Sequence, residues 1–540
     1  MVCMMKNWTE KRWYCTVFGS AVFLGVLVSM PFLLHTTDER YQGVPVHFNA
    51  DEFSYLPRVQ EVLVHGTKRF GVAIAGGALL PPLQPGLIEQ VYGVVFRPFT
   101  ERASTIFTVM DFVMPFFLFI ALVGFCRACG LSRRRALIAA FLFSFLELYN
   151  FGRPIHQRVS FLLTLLSLWG LIQGLEHRRI WGVLGGALMG ILIGVYFWSF
   201  TAVWAWWSIT LLFFCLRRSW EHAKYLAAFG MVGFLTGIPF LLQMRALSGE
   251  SLYKEVFFRS GVGHSRIPES LPWSLLFFIM AVGSMVMWYK KGRRPRYLAC
   301  TVVTAFALLN QHLVHGTLFL FASHYLFFLV FAAVLALVSV WGAREFTARI
   351  TAVAAIIFLL GIGYDNRSVL SQWRVDESDF EEQHLASAIT EIFGMEQAVI
   401  LSDPLTSSLI ASHTQHDVLF THYIQHELRS HQELAERYCL TQAPLNAALR
   451  KPEEEHVLVY GAAYDAMFNP AEKERIRSQE LLLVNRACAA MDRDPRALLN
   501  TYGVQYILWD EKRNPQWTLS LLDTSLELVA EGQGWSLWRL

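Results

Sequence analysis

Long apolar runs broken by short charged punctuation fill residues 13–363, and after that the pattern changes. A bilayer-crossing helix needs about 20 mostly apolar residues. Trp13–Leu34 is the first such run. It is long and lacks a small-x-small cleavage site, so it reads as a span and not as a signal peptide. Further spans are expected at Ser104–Cys126, Ala136–Tyr149, Val159–Leu175, Trp181–Phe197, Phe200–Leu216, Tyr225–Gln243, Leu271–Tyr289, Tyr297–Leu309, Tyr325–Trp341 and Phe346–Gly363. That makes about eleven helices. Trp181–Leu216 is too long for one span and has no polar break, so the division is set near Ser199. Residues 364–540 carry charges throughout and read as a water-facing domain of ordinary size. The expected organisation is a polytopic membrane domain over 1–363, with a long first loop at 35–103, followed by an α/β domain over 364–540.

Composition sharpens this. The chain is 54% hydrophobic and 16% charged, against about 25% charged for soluble proteins. A cytosolic enzyme, a disordered chain and a disulfide-stapled mini-domain are excluded. The net charge of +3 says little. Its distribution says more, because Lys and Arg of short loops mark the cytoplasmic side. Lys6, Lys11 and Arg12 precede the first span, and every second loop after it is basic: Arg133–Arg135, Arg178-Arg179, Arg217-Arg218 with Lys224, Lys290-Lys291 with Arg293, Arg294 and Arg296, then Arg344 with Arg349. The phase holds across all the spans. The N-terminus is expected in the cytoplasm and the C-terminal domain outside it, in a multi-pass protein of a bacterial-type inner membrane.

Of eight cysteines, Cys439 and Cys488 fall in the external domain and can pair, although spacing alone does not show it. Cys126 and Cys129 form a lone C-x-x-C, better read as packing than as a metal site.

Orientation sorts the polar residues. The first external loop holds Asp51-Glu52 before Phe53–His65, a segment able to lie as a helix on the membrane surface with Leu56, Val59, Leu63 and Val64 on its apolar side. Tyr55 and Arg58 lie on the same segment. The plain reading of the acidic pair is a helix cap. Later external loops add Arg153, His156 and Arg158, then Lys254, Arg259, His264 and Arg266, then Gln311, His312, His315 and His324. Ionisable residues at a membrane edge are costly and point to a site. A carboxylate among arginines and histidines suits proton transfer next to a bound phosphate. Asp111, inside the second span, either pairs within the bundle or reaches the external edge.

These features resemble the GT-C superfamily of polyprenyl-phosphate-sugar-dependent membrane glycosyltransferases. The resemblance rests on the acidic pair Asp51-Glu52 with Tyr55 in a long first loop, on the Arg153-to-Arg158 loop, on Asn310-Gln311-His312 with Gly316 and His324, and on an external tail with the strand Tyr502–Leu508. It implies a GT-C-like fold and a sugar moved from a polyprenyl-phosphate donor, with inversion, to a lipid, glycan or protein acceptor on the external face. It makes Asp51 the candidate base, with Glu52 assisting it or binding a divalent cation such as Mg or Mn. Tyr55, Arg58, Arg153, His156, Arg158, His264, Arg266, Gln311, His312, His315 and His324 become candidate donor-phosphate or substrate contacts. The W-W-D-x-G signature of oligosaccharyltransferases is absent, and there is no close match to the protein mannosyltransferases or the aminoarabinose transferases of lipid A. A lipid-linked-saccharide flippase and a non-catalytic assembly protein are the rival readings. Membrane lipids are expected partners and nucleic acid is not.

H-x-x-H at His312 and His315 departs from the i, i+4 spacing of helical zinc motifs, so polar packing or phosphate contact is the better reading. In the tail, Val399–Leu401, Val418–Phe420, His456–Tyr460 and Val504–Trp509 are expected as strands. Phe380–Phe393, Ile424–Tyr438 and Pro495–Tyr502 are expected as helices, with a closing hairpin from Leu526–Ala530 to Trp535–Leu540. His413, His416, His422, His426 and His431 are expected on the surface. The aromatic run from Tyr196 to Trp207 reads mostly as an interfacial belt, and Asn366-Arg367-Ser368 is a glycosylation sequon.

Overall fold

The computed structural model describes residues 2–47, 51–66, 73–77, 83, 85–153, 155, 158–268, 270–291, 295–319, 324–365, 373–461, 470–522 and 525–540. Its helices, in chain order, are α1 (Val2–Thr36), α2 (Glu52–His65), α3 (Leu87–Phe96), α4 (Ala103–Ala128), α5 (Arg133–Leu146), α6 (Arg158–Glu176), α7 (Arg179–Ile191), α8 (Phe197–Leu216), α9 (Trp220–Ser248), α10 (Tyr253–Arg259), α11 (Leu271–Lys291), α12 (Pro295–Asn310), α13 (His312–His315), α14 (Leu326–Val340), α15 (Phe346–Asp365), α16 (Ala386–Phe393), α17 (Pro404–His413), α18 (His431–Thr441), α19 (Pro452–Tyr460), α20 (Pro470–Arg493) and α21 (Pro495–Thr501). The strands are β1 (Val262–His264), β2 (Thr317–Phe319), β3 (Val399–Leu401), β4 (Asp417–Val418), β5 (Val504–Asp510), β6 (Glu527–Gly532) and β7 (Trp535–Arg539).

Every apolar run expected to span is helical. Among the described residues, α1, α4, α6, α8, α9, α11 and α15 are long and apolar enough to cross a membrane, while α3, α7, α12 and α14 are shorter apolar helices. The chain is an integral membrane protein. The break between α7 and α8 falls at Val195-Tyr196 and not at Ser199. A 3-10 turn, Leu192–Gly194, ends α7, and Tyr196 is extended. No polar residue marks this break, but Gly194 does, since a Cβ there would overlap the Phe240 ring.

The chain forms two compact units: Met1–Pro31, Thr108–Met244 and Ser265–Arg374 make the first, and Phe32–Phe107, Arg245–His264 and Val375–Leu540 the second. Small residues let the helices of the first unit approach closely, the usual solution where lipid supplies no hydrophobic drive. A Cβ on Gly174 of α6 would overlap the backbone of Gly182 on α7. Almost every residue of α14 is buried, as expected of a helix apolar all round. Its Phe327 and Phe331 pack edge-on against Phe161 of α6 at 5.3 and 5.6 Å between centroids. The aromatic run is not wholly a belt, because Trp206 is fully buried and donates to Thr301 Oγ1 at 3.1 Å.

The second unit is built on a five-stranded sheet of order β4-β3-β5-β7-β6. β4, β3 and β5 are parallel, and β5, β7 and β6 antiparallel. Alternating residues feed two cores. Ile400, Val418, Leu508 and Leu537 face one with Leu409 and Ile410 of α17, while Leu401 and Ile507 face the other with Tyr438, Val484 and Leu499. Residues of the first loop belong to this unit. Ala75 N donates to Val418 O at 2.9 Å and Val418 N to Ala73 O at 2.8 Å, so residues 73–75 extend the sheet beside β4. Gln383 accepts from the backbone N–H groups of Gln42 and Val44 at 2.8 and 3.2 Å.

Three expectations for the tail fail. Ile424–Tyr438 is not one helix: a 3-10 turn covers Ile424–His426, and α18 starts at His431, where Ser430 caps it by accepting from Glu433 N. His456–Tyr460 is the end of α19, not a strand: Pro452 at its start and Glu453–Glu455 in its first turn suit a helix N-terminus. His413 and His416 are buried, not on the surface. His416 holds two backbone groups, Ile392 O at 2.6 Å and Ala398 N at 3.0 Å, which compensates its burial. Cys439 of α18 and Cys488 of α20 form a disulfide with Cα atoms 5.0 Å apart. The sequon at 366–368 lies outside the described residues.

Candidate functional site

In the second unit the acidic pair opens α2. Asp51 has helical backbone angles (φ −62°, ψ −22°) and its side chain makes no capping hydrogen bond. Asp403, by contrast, caps α17 by accepting from Leu405 N and Thr406 N, and Ser132 caps α5 through Arg135 N. The cap reading of Asp51 therefore does not hold. Its carbonyl, not its carboxylate, takes Ser54 N and Tyr55 N at 3.0 and 3.1 Å, and Oδ2 is shielded from solvent. Glu52 follows, half-buried. Tyr55 is buried, and the Arg58 guanidinium lies 5.7 Å from its ring centroid and 3.8 Å from Glu89 of α3.

Neutral imidazoles surround the start of this helix. His47 packs on Phe53 at 4.4 Å and lies 5.8 Å from His413, and Phe53 stacks at 6.1 Å from His422. Burial pushes His47 down to about 4. Burial, aided by His47 and Arg102, pushes His413 to about 3. His426 is held to about 4, first by burial and then by Arg58 and Arg259. Arg259 is a strut: wholly buried, it donates to the carbonyls of Gln425, Glu427 and Arg429 at 3.0, 3.2 and 2.7 Å.

In the first unit, three of the expected residues converge. The charge of Arg153 acts on His324, whose Nδ1 lies 2.5 Å from the Tyr196 hydroxyl. Burial first, and Arg153 second, lower His324 to about 3, so its ring is neutral. Trp198 packs edge-on against His324 and Tyr325 at 5.8 and 4.8 Å. The Tyr325 hydroxyl meets Thr201 Oγ1 at 2.8 Å and accepts from Gln311 Nε2 at 3.1 Å. Tyr196 and Trp198 belong to the aromatic run read from the sequence mostly as a belt, whereas Thr201 and Tyr325 were not among the candidate contacts.

The other candidates sit apart. Arg158 is fully buried and pairs with Asp111, also donating to Phe151 O at 3.1 Å. Asp111 thus pairs within the bundle. Arg266 donates to Val314 O at 3.0 Å, His312 Nε2 lies 2.8 Å from Ile267 O, and His315 Nδ1 accepts from Thr317 N at 3.0 Å. These three tie loop backbones. His264 is exposed at the end of β1, and His156 lies outside the described residues. Among the described residues no three His, Cys, Asp or Glu side chains gather as a metal-binding group.

No protein-family model and no curated protein sequence matches the chain. Solved structures do. ArnT from Cupriavidus metallidurans in the apo state aligns over 98% of both chains at 13% identity and a TM-score of 0.51. The same enzyme bound to undecaprenyl phosphate aligns over 98% of both chains at 14% identity and a TM-score of 0.51. The apo oligosaccharyltransferase of Archaeoglobus fulgidus aligns over 94% of this chain and 71% of its own, at 10% identity and a TM-score of 0.51. From the first membrane helix to the closing hairpin, the chain shares the fold of these two membrane transferases.

Proposed function

We propose that the chain is a membrane glycosyltransferase that moves a sugar from a polyprenyl-phosphate donor to an acceptor on the non-cytoplasmic face, with inversion at the anomeric carbon. The acceptor hydroxyl or amine loses its proton to Asp51, with Glu52 beside it. The acceptor atom bonds to the anomeric carbon as the bond from that carbon to the phosphate oxygen breaks. The electron pair leaves with the polyprenyl phosphate, already a stable anion. This asymmetry asks for a base at the nucleophile and cations at the leaving group. Arg153, whose charge acts on the buried His324 ring, is the leading phosphate contact. Basic residues on alternate loops support a cytoplasmic N-terminus and an extracytoplasmic tail.

The observation that carries the reading is the GT-C fold along 98% of the chain together with an acidic residue that opens α2 without capping it. The test is turnover by the purified chain in lipid nanodiscs, supplied with a panel of undecaprenyl-phosphate hexoses and pentoses and candidate acceptors. Release of undecaprenyl phosphate coupled to acceptor labelling is expected with one donor. Binding without bond cleavage across the panel would overturn the reading.

A further inference from the structure

A cavity of about 160 Å³ lies within the first unit, among the ends of α4, α5, α11, α12 and α14. These are the arginine- and lysine-rich ends: Arg133–Arg135 open α5, Lys291 ends α11 and Arg296 lies in the first turn of α12. Arg135, Ser284, Trp288 and Ser339 supply the polar lining, with Cys129 and Met287 beside them. Ser284 and Trp288 sit four residues apart on α11, so both fall on one face.

Both are more than nine-tenths buried, at 7% and 9% exposure. Ser284 Oγ and Trp288 Nε1 have no hydrogen-bond partner among the described residues. Buried polar groups are almost always satisfied, so such orphans ask for an explanation. An indole N–H only donates, so what meets it must accept. Positive charge gathers here as well. Arg135 spends one nitrogen on Trp341 O at 2.8 Å, and a guanidinium carries five N–H donors. Arg217 lies 5.6 Å from the Trp288 ring. No Asp or Glu lines the cavity among the described residues. Donors and positive charge at the ends of membrane helices match a phosphodiester, and basic pockets between membrane helices take anionic head groups.

We propose that this cavity binds the phosphodiester head group of an anionic membrane lipid, held by Arg135, Ser284 and Trp288. The test uses the full chain in nanodiscs of phosphatidylcholine alone or mixed with phosphatidylglycerol, read by thermal unfolding and by lipid retention in native mass spectrometry. Phosphatidylglycerol should raise the melting temperature and be retained over phosphatidylcholine. Ser284→Ala, Trp288→Phe and Arg135→Gln should each cut that retention about tenfold, the loss expected for one hydrogen bond to a charged group. Ser284→Ala should not lower the melting temperature in phosphatidylcholine alone, which separates lost binding from lost folding. If Trp288→Phe fails to fold, the other two variants decide. Millimolar inorganic phosphate should leave phosphatidylcholine discs unchanged; an equal rise with phosphate would mean a free-anion site and overturn the lipid assignment. Equal retention of both lipids, or wild-type retention by all folded variants, would overturn the proposal and leave the cavity to water.

Discussion

Arg158, the first residue of α6, is fully buried and pairs with Asp111 of α4, 47 positions earlier in the chain. The pair joins two membrane helices and explains an acidic residue inside an apolar span. Removing one partner leaves a buried charge uncompensated, which costs about 3–5 kcal/mol. Arg158→Met or Asp111→Leu alone should therefore destabilise the purified protein strongly. The double variant should recover most of the loss, as a double-mutant cycle on thermal unfolding will show.

Arg153→Gln should raise the KM for the lipid donor about tenfold or more, as loss of a charge-assisted hydrogen bond does, with little change in melting temperature. Tyr196→Phe, which removes the hydroxyl beside His324, should act in the same direction and more weakly. An unchanged KM in Arg153→Gln would remove this arginine from the donor site.

Acid should weaken the second unit. The folded chain holds His47 near 4 and His413 near 3, below the ordinary 6.5. The unfolded chain therefore takes up these protons first. The stability of the neutral pair is complete above about pH 6.5 and is lost as the pH falls toward 4 and then 3. Melting temperature should fall between pH 7 and pH 5, and less so in His413→Gln.

The Cys439–Cys488 bond closes a loop of 49 residues. Chain-entropy reasoning gives it about 4 kcal/mol. Reduction, or Cys439→Ser with Cys488→Ser, should lower the stability of the second unit by an amount of this order in thermal melts.

The helices were legible because apolar length and basic punctuation are local properties. The strand expected at Val504–Trp509 was legible because its apolar alternation is local too, and it is observed as Val504–Asp510. His456–Tyr460 misled because its apolar alternation is short, and the Pro-Glu-Glu-Glu start that sets the helix lies just upstream. The surroundings of the candidate site were less legible than its residues. Asp51, Arg153, Gln311 and His324 were named from residue type and loop position alone. Their settings were not legible, because His47 meets His413 and Ala73 meets Val418 across more than 300 residues of chain. Arg158, Arg266 and His312 looked like ligands by composition, and only geometry reveals the carboxylate and carbonyls that engage them.

Asp51 as the base is tested by comparing wild type with Asp51→Asn in nanodiscs loaded with the accepted polyprenyl-phosphate sugar, reading sugar transfer alongside melting temperature and donor retention. Transfer should fall about 100-fold to 10,000-fold in Asp51→Asn, the range for a lost general base, with folding and donor retention intact. Wild-type transfer by a folded Asp51→Asn protein would contradict this role.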